Sequence, residues 1–378
     1  MKRWLIGAAA AAACVGAAHA QSNVTLYGFL YSGLRYVNNS GGHSVTGLAT
    51  GPSRWGMRGN EDLGNGRSAL FTLESGFDMG SDSSRQGGRL FGRQAYVGLN
   101  DNGLGTVTFG RQYDMVASFL SPYVPAGKWN GYMAHPGDVD NLNFQFRLNN
   151  SVKYVTPVIN GFQAGAVYSF GEVAGSSKQN SAHSMGLKYK SGDFSVAAAY
   201  MRVNNPATAV SEGNWNTILL PAFTSTSQRN AYTVSPQAMT TVGVAADYQA
   251  GSVKYAAAYT QVRYDKVGGT VAGLPVSDAK YSNLDLNVAY SVNASWQLGA
   301  GYTYTFGKVD ATGFKPKYHQ FNLMTNYFLS KRTILQLAAI HQRAAGDAQN
   351  AYILYGSTGG ASSSRGQTML LAGIFHLF

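Results

Sequence analysis

The chain has 378 residues, with 29 Lys+Arg against 18 Asp+Glu, one cysteine, 46 glycines and 24 tyrosines. A lone cysteine excludes a disulfide framework and a thiolate metal centre, and a charged fraction of 12% is about half that of an ordinary soluble domain. Mean hydropathy is nonetheless slightly negative, −0.14, so polarity rests on Gly, Ser, Thr, Asn, Gln and Tyr, a composition suited to strands more than helices.

Residues 1–20 place Lys2 and Arg3 before an apolar run from Trp4 to Val15, then Ala18-His19-Ala20. The pattern predicts a secretory signal peptide cleaved after Ala20, since the run is too short and too small-residue-terminated for a transmembrane anchor. Cys14 lies inside it. The expected mature chain, 21–378, keeps 27 basic and 18 acidic residues, a formal charge of +9.

The first expected strand is VTLYGFLYSGLRY, with Tyr27, Phe29, Tyr31 and Arg35 on one face. SRWGMRGNE follows, with Arg54, Gly56, Arg58 and Asn60 on one face and Trp55 and Met57 on the other. In RLFGRQAYVGL, assigning Tyr96 to the outer face puts Arg93 on the inner one. In RLNNSVKY, outward Val152 and Tyr154 put Arg147 and Lys153 inside. VGVAADY, VKYAAAY, NLDLNVAY and WQLGAGYTYTF each alternate strictly; Leu284, Leu286, Val288 and Tyr290, for example, oppose Asn283, Asp285 and Asn287. The last segment, TMLLAGIFHLF, runs apolar to the final residue, with Leu370, Ala372, Ile374, His376 and Phe378 on one face.

The connections alternate in length. Short ones are expected near 62–66, 101–105, 156–161, 190–193, 249–252, 291–295 and 330–333, and long polar loops near 38–52, 79–88, 112–146, 171–181, 203–239, 264–281, 307–317 and 344–366. Fifteen connections make sixteen strands. An even number of strands of ~9–11 residues, with short turns at one end and long loops at the other, predicts an all-β, antiparallel transmembrane β-barrel. Closure is required because an open sheet edge in hydrocarbon leaves backbone groups unpaired, so the final strand should pair with the first. A secreted sandwich would bury its apolar face and has no need of Tyr27, Tyr154, Tyr168, Tyr248, Trp296 and Phe378 near strand ends.

VTLYGFLYSGL, SRWGMRGNEDLGNG, ALFTLESGF, GRQAYVGL, GTVTFGRQYD, RLNNSVKY and the terminal GIFHLF together resemble the general porins of Gram-negative bacteria, in the branch found in β-proteobacteria. The resemblance implies an outer-membrane homotrimer of sixteen-stranded barrels, each with a water-filled pore for passive diffusion of small hydrophilic solutes. It implies that the barrel-assembly machinery reads Phe378, with His376 on the same face. It also implies that the third loop, 112–146, folds inward as a constriction, and supports Arg54, Arg58, Arg93 and Arg147 as the basic wall facing it. Acidic partners are Glu74 from the wall and Asp114, Asp138 and Asp140 from the loop region. The family's cluster of acids in mid-loop is missing: residues 115–137 hold none and include Lys128, so small anions are the expected preferred solutes.

Rival functions leave weaker marks. A barrel enzyme should show a histidine constellation, yet His43, His135, His183, His319, His341 and His376 fall in no H-E-x-x-H pattern and no Gly-x-Ser-x-Gly elbow occurs. No cofactor or metal is expected, and nucleic acid is disfavoured because the bases are dispersed over inner strand positions and loops instead of forming one stripe. Outer loops are expected to meet outer-membrane lipid and lipopolysaccharide phosphates. A substrate-specific channel would need a dedicated track, for which Phe29, Tyr31, Phe119, Tyr123 and Trp129 are the candidates.

Overall fold

A computed structural model describes residues 23–378 except 52, 82, 214–235, 268–275, 311 and 354–359. The predicted leader therefore lies outside the described residues, as do parts of the long connections 203–239, 264–281 and 344–366.

The strands are β1 Asn23–Ser40, β2 His43–Ala49, β3 Arg54–Gly64, β4 Arg67–Gly76, β5 Gln94–Asp101, β6 Gly105–Gln112, β7 Leu148–Val155, β8 Phe162–Ser169 and β9 Ala182–Ser191. They continue as β10 Phe194–Asn204, β11 Ala238–Ala250, β12 Val253–Val267, β13 Ser277–Asn293, β14 Trp296–Val309, β15 Pro316–Phe328, β16 Thr333–Gly346 and β17 Gly366–Leu377. Apart from β2 and β3, which both run antiparallel to β1, each is antiparallel to its neighbours in sequence, and β17 returns to pair with β1, from Phe29↔Leu377 to Val37↔Met369. Seventeen runs occupy sixteen positions, because β2 and β3 share the place beside β1: β2 pairs with its loop-side half and β3 with Asn23–Phe29. Between them Ser53 accepts from the Tyr31 amide at 3.0 Å through its hydroxyl.

The expected loop at 38–52 is thus mostly a hairpin. Its tight turn at Gly41 and Gly42, both at positive φ, lets β1 and β2 continue the ladder; the polar composition that suggested a loop belongs to the exposed tip of the hairpin, while Val37 and Ala49 nearer its base are buried. The short connections fall where the sequence places them, as at Gly64–Arg67 and Asn293–Trp296.

Burial is inverted relative to a sandwich. On β13, Leu284 and Leu286 are 37% and 49% exposed, while Asn283 and Asp285 are 1% exposed. The same holds on β15 and β16, where Phe321, Leu323, Leu335 and Leu337 are exposed and Gln320, Asn322, Gln336 and Gln342 are buried. Apolar-out, polar-in alternation is the pattern of a barrel solvated by lipid. At the seam, Gly28 and Phe378 exchange both backbone hydrogen bonds at 3.1 Å, so the final residue completes the ladder. A side chain at Gly28 would place its Cβ 2.7 Å from the Phe378 ring.

Candidate functional site

Arg54 and Arg58 of the basic wall lie on β3, while Arg93 and Arg147 stand just before β5 and β7. Register aligns Phe29 with Arg54, Tyr27 with Gly56, and Gly56 with Glu74, so these inner positions stand side by side. Glu74, 3% exposed, accepts from Arg93 Nε at 2.7 Å and from the Tyr27 hydroxyl at 3.0 Å, and Arg54 Nε lies 3.7 Å from it. The Arg54 guanidinium sits 4.4 Å from the centre of the Phe29 ring, and that of Arg58, more exposed, 5.2 Å from the centre of Tyr27. Such stacking keeps a planar cation charged while holding its direction.

Arg93 reaches this cluster by a route other than strand alternation. Val97 and Leu99 are the exposed residues of β5, and Tyr96 pairs with Thr72 beside the inward Arg58, so Tyr96 faces inward, contrary to its expected outer placement. Arg93 precedes the first residue of β5, where the chain leaves the connection, and parity does not govern it. Its Nη2 donates to the Tyr113 hydroxyl at 2.7 Å, and Arg147 Nη2 donates to the same oxygen at 3.1 Å. The Arg147 guanidinium also lies 4.9 Å from the Tyr113 ring centre. Burial would raise the Tyr113 phenol, but Arg93 and Arg147 outweigh it and hold it below its ordinary value. Lys153 donates to the Tyr113 carbonyl at 3.0 Å and the Ser118 hydroxyl at 3.2 Å.

The segment between β6 and β7 opens with helix α1, Met115–Leu120, whose N-cap Asp114 accepts from the Ala117 amide at 2.9 Å. Asn141 donates to the other Asp114 oxygen at 2.9 Å. The helix buries Met115, Val116, Phe119 and Leu120 in one cluster with Val167, Ala182, Ala197, Ala199, Ala245 and Ala258, the small side chains of β8–β12. A Cβ at Gly243 would come within 2.6 Å of Leu120, so the close approach needs glycine there.

Beyond the helix, polar side chains take over. Lys128 donates to Asn287, Asn130 to Gln336 at 2.7 Å, Asn287 to the Tyr123 carbonyl at 3.0 Å, and Gln320 to the Met133 carbonyl at 3.2 Å. Asn287, Gln320 and Gln336 all belong to the buried, polar face of β13–β16. His135, 3% exposed, donates from Nδ1 to Asp140 at 2.7 Å and from Nε2 to Asp285. Asp140 also accepts from Thr260 and, at 3.1 Å, from Asn283; Thr303 donates to Asp285 at 2.6 Å. Burial alone would lower the His135 imidazole, yet Asp140 and Asp285 outweigh it and hold it well above its ordinary value. Burial, then the Asp140 charge, pushes the Asp138 carboxyl up.

A cavity of about 410 Å³ separates the two sides, lined by Arg54, Glu74 and Arg93 on one and Lys128 and Trp129 on the other, with Phe29 and Tyr31 between. Phe119 and Tyr123 pack instead in the helix cluster. Asp114 and Asp140 are wholly buried and Asp138 nearly so. Burial and Lys254 lower the Lys128 ammonium to about 8. Arg35 lies against Tyr132, away from the cavity lining. Sequence reasoning missed Tyr113, the shared acceptor, and His135, which no motif marks. It also missed Glu212, which meets Arg111 and lies 3.7 Å from Arg89; that contact bridges 101 positions and leaves no local signal.

Residues 7–347 match a family profile described as Gram-negative porin. An outer-membrane porin protein of Bordetella pertussis is 32% identical over 89% of this chain and 92% of its own. Outer membrane porin protein 32 of Delftia acidovorans is 30% identical over the whole of both chains. Among solved structures, an anion-selective porin from Comamonas acidovorans matches with a TM-score of 0.72 and 25% identity, covering 94% of this chain and 100% of that one.

Proposed function

The chain belongs to the Gram-negative porin family and forms an outer-membrane channel, and from that premise we propose that the channel prefers anions and is narrowed by the 113–147 segment lying inside the barrel. The observation that carries this is the wall of Arg54, Arg58, Arg93 and Arg147, whose close carboxylates are Glu74, 3.7 Å from Arg54 and 2.7 Å from Arg93, and Glu212, which accepts from the Arg147 amide at 3.4 Å and is already paired with Arg111. Asp114, Asp138 and Asp140 are turned into buried hydrogen bonds and present no carboxylate to the cavity. Lys128 adds a cation on the facing side.

Fixed charge at a constriction sets ion selectivity. Mobile ions screen charges beyond ~8 Å at physiological salt, so the arginines beside the cavity matter more than the net charge of the chain. The similarity to the anion-selective porin of Comamonas acidovorans agrees with this reading. Solutes move down their gradients, with no chemistry performed on them, through each barrel of a homotrimer whose apolar outer faces meet lipid and neighbouring barrels. Phe378, with His376, serves as the signal to the assembly machinery.

The test of the constriction uses Lys128→Cys with Cys14 lost in the cleaved leader. Labelling with a bulky thiol reagent should cut single-channel conductance. Full labelling with unchanged current would place the segment away from the conducting path.

A further inference from the structure

We propose that the cavity between the arginine wall and the 113–147 segment is a binding site for aromatic carboxylates, single-ring organic monoanions whose carboxylate is held by Arg54 and whose ring lies on Phe144. The proposal rests on the anion preference put forward above and narrows it to one class of solute.

Phe144 stands out by its backbone. Its φ is +58°, in the left-handed region, where a bulky side chain is rare and asparagine or glycine common. Neighbouring bonds hold it there. Asn141 accepts from the Phe144 amide at 3.1 Å through its carbonyl and from the Phe146 amide at 3.0 Å through its side chain, and Asp138 accepts from the Asn143 amide at 2.9 Å. These bonds fix the turn from the side chains of Asp138 and Asn141 and make no demand on the side chain at 144, where Asn would sit with less strain. A strained residue held by over-determined surroundings at a constriction points to a use for its side chain.

The ring is not spent on the core. Phe146, two positions on, is 3% exposed and packs in the cluster around helix α1, whereas Phe144 is part-exposed. Phe144 lines the cavity and meets Tyr113 edge-on, with ring centres 5.0 Å apart and planes at 61°. Tyr113 is itself pinned, because its hydroxyl accepts from both Arg93 and Arg147. The two rings make a fixed corner, to which Ile334, Phe375 and Leu377 add an apolar lining.

One cation beside that corner has donors to spare. Arg93 bonds to Glu74 and Tyr113, and the wholly buried Arg147 bonds to Tyr113. Arg54 donates no hydrogen bond among the described residues: its guanidinium rests 4.4 Å from the Phe29 ring centre, its Nε stands 3.7 Å from Glu74, and its side chain is 33% exposed. An open guanidinium takes a carboxylate at two points. Glu74 lies next to it, with its oxygens already accepting from Arg93 and Tyr27. A ligand with a second negative charge would meet that carboxylate, whereas an uncharged ring meets Phe144 and the apolar lining; the site therefore selects a monoanion with a flat apolar body. Its volume, about 410 Å³, is that of a small-molecule site.

The test follows the KCl current of the mature channel in planar bilayers as sodium benzoate, cyclohexanecarboxylate or acetate is added at pH 7, where all three are ionised, and reads apparent affinity from the fall in current. Benzoate and cyclohexanecarboxylate share charge and ring size and differ in the π face. Wild type should bind benzoate about two- to tenfold more tightly than cyclohexanecarboxylate, the worth of one aromatic pair, and acetate more weakly than either. Phe144→Asn, which suits the left-handed backbone and removes the ring, should make the two ring acids equal; Phe144→Leu should do the same, and Phe144→Tyr should keep the gap. Arg54→Gln should weaken both ring acids together. Equal binding of the two ring acids in wild type, or a gap that survives in Phe144→Asn or Phe144→Leu, would overturn the proposal. A fault in the anion reading shows separately, as potassium preference of the wild type in KCl alone, while equal ring-acid affinities in a chloride-preferring channel refute the aromatic site only.

Discussion

Replacing His135 by leucine should loosen the far end of the 113–147 segment from the wall. The imidazolium joins Asp140, on the segment, to Asp285, on β13, and all three are buried. Removing one partner of a buried charge pair costs about 3–5 kcal/mol. Asp140 retains its bonds from Thr260 and Asn283, and Asp285 its bond from Thr303; one carboxyl can also take up a proton. These limit the loss to the lower end, about 3 kcal/mol, which is a ~150-fold shift between the attached and detached segment. In planar bilayers the variant should show frequent stepwise conductance changes absent from wild type. The pH dependence has a definite sign. Because the folded imidazole is raised above its ordinary value of 6.5, the attachment is complete below that pH and weakens only as pH climbs through the raised value. Wild type should therefore stay quiet at pH 6 and 7 and become noisier in strongly alkaline solution. A His135→Leu channel as quiet as wild type, with unchanged thermal stability of the folded barrel, would refute the reasoning.

Glu74→Gln removes the carboxylate beside the arginine wall, so anion preference should rise, read as a larger zero-current potential of the same sign; no change would mean that Glu74 is remote from the ion path. Lys128, with its ammonium lowered to about 8, is charged below that pH and neutral above it. Anion preference should consequently fall between pH 6 and pH 9, and the fall should shrink in Lys128→Gln. Deleting Phe378 removes both backbone bonds to Gly28 and the terminal aromatic ring. Outer-membrane levels of folded trimer should drop while synthesis and export persist, whereas normal levels would argue against a terminal assembly signal.

The barrel was legible because period-two alternation is local. Leu284 to Tyr290 and Trp296 to Phe306 announce both the strand and its lipid face, and glycine-bearing turns mark the ends. Parity misled at Tyr96, since an aromatic residue suits the lumen as well as the lipid interface, and only the exposure of Val97 and Leu99 decides between them. The hairpin at 38–49 was hidden by the polar residues of its exposed tip, 38–44, which interrupt the alternation that resumes at Leu48 and the buried Ala49. Arg54 and Arg58 followed from spacing along one strand. The roles of Asp140 and His135 did not, because a carboxylate in a loop reads the same whether it faces an ion path or a buried histidine. The other partner of His135, Asp285, is 150 positions away, and the partnership exists only once the barrel has closed.

The zero-current potential of single channels in a tenfold KCl gradient tests the central claim most directly. Wild type should show the sign of chloride preference, and Arg54→Glu with Arg93→Glu should move the potential toward, or past, zero, with the shift shrinking as salt rises. A wild-type channel that favours potassium, or a double variant whose potential equals that of wild type, would contradict the account and remove the arginine wall as the source of selectivity.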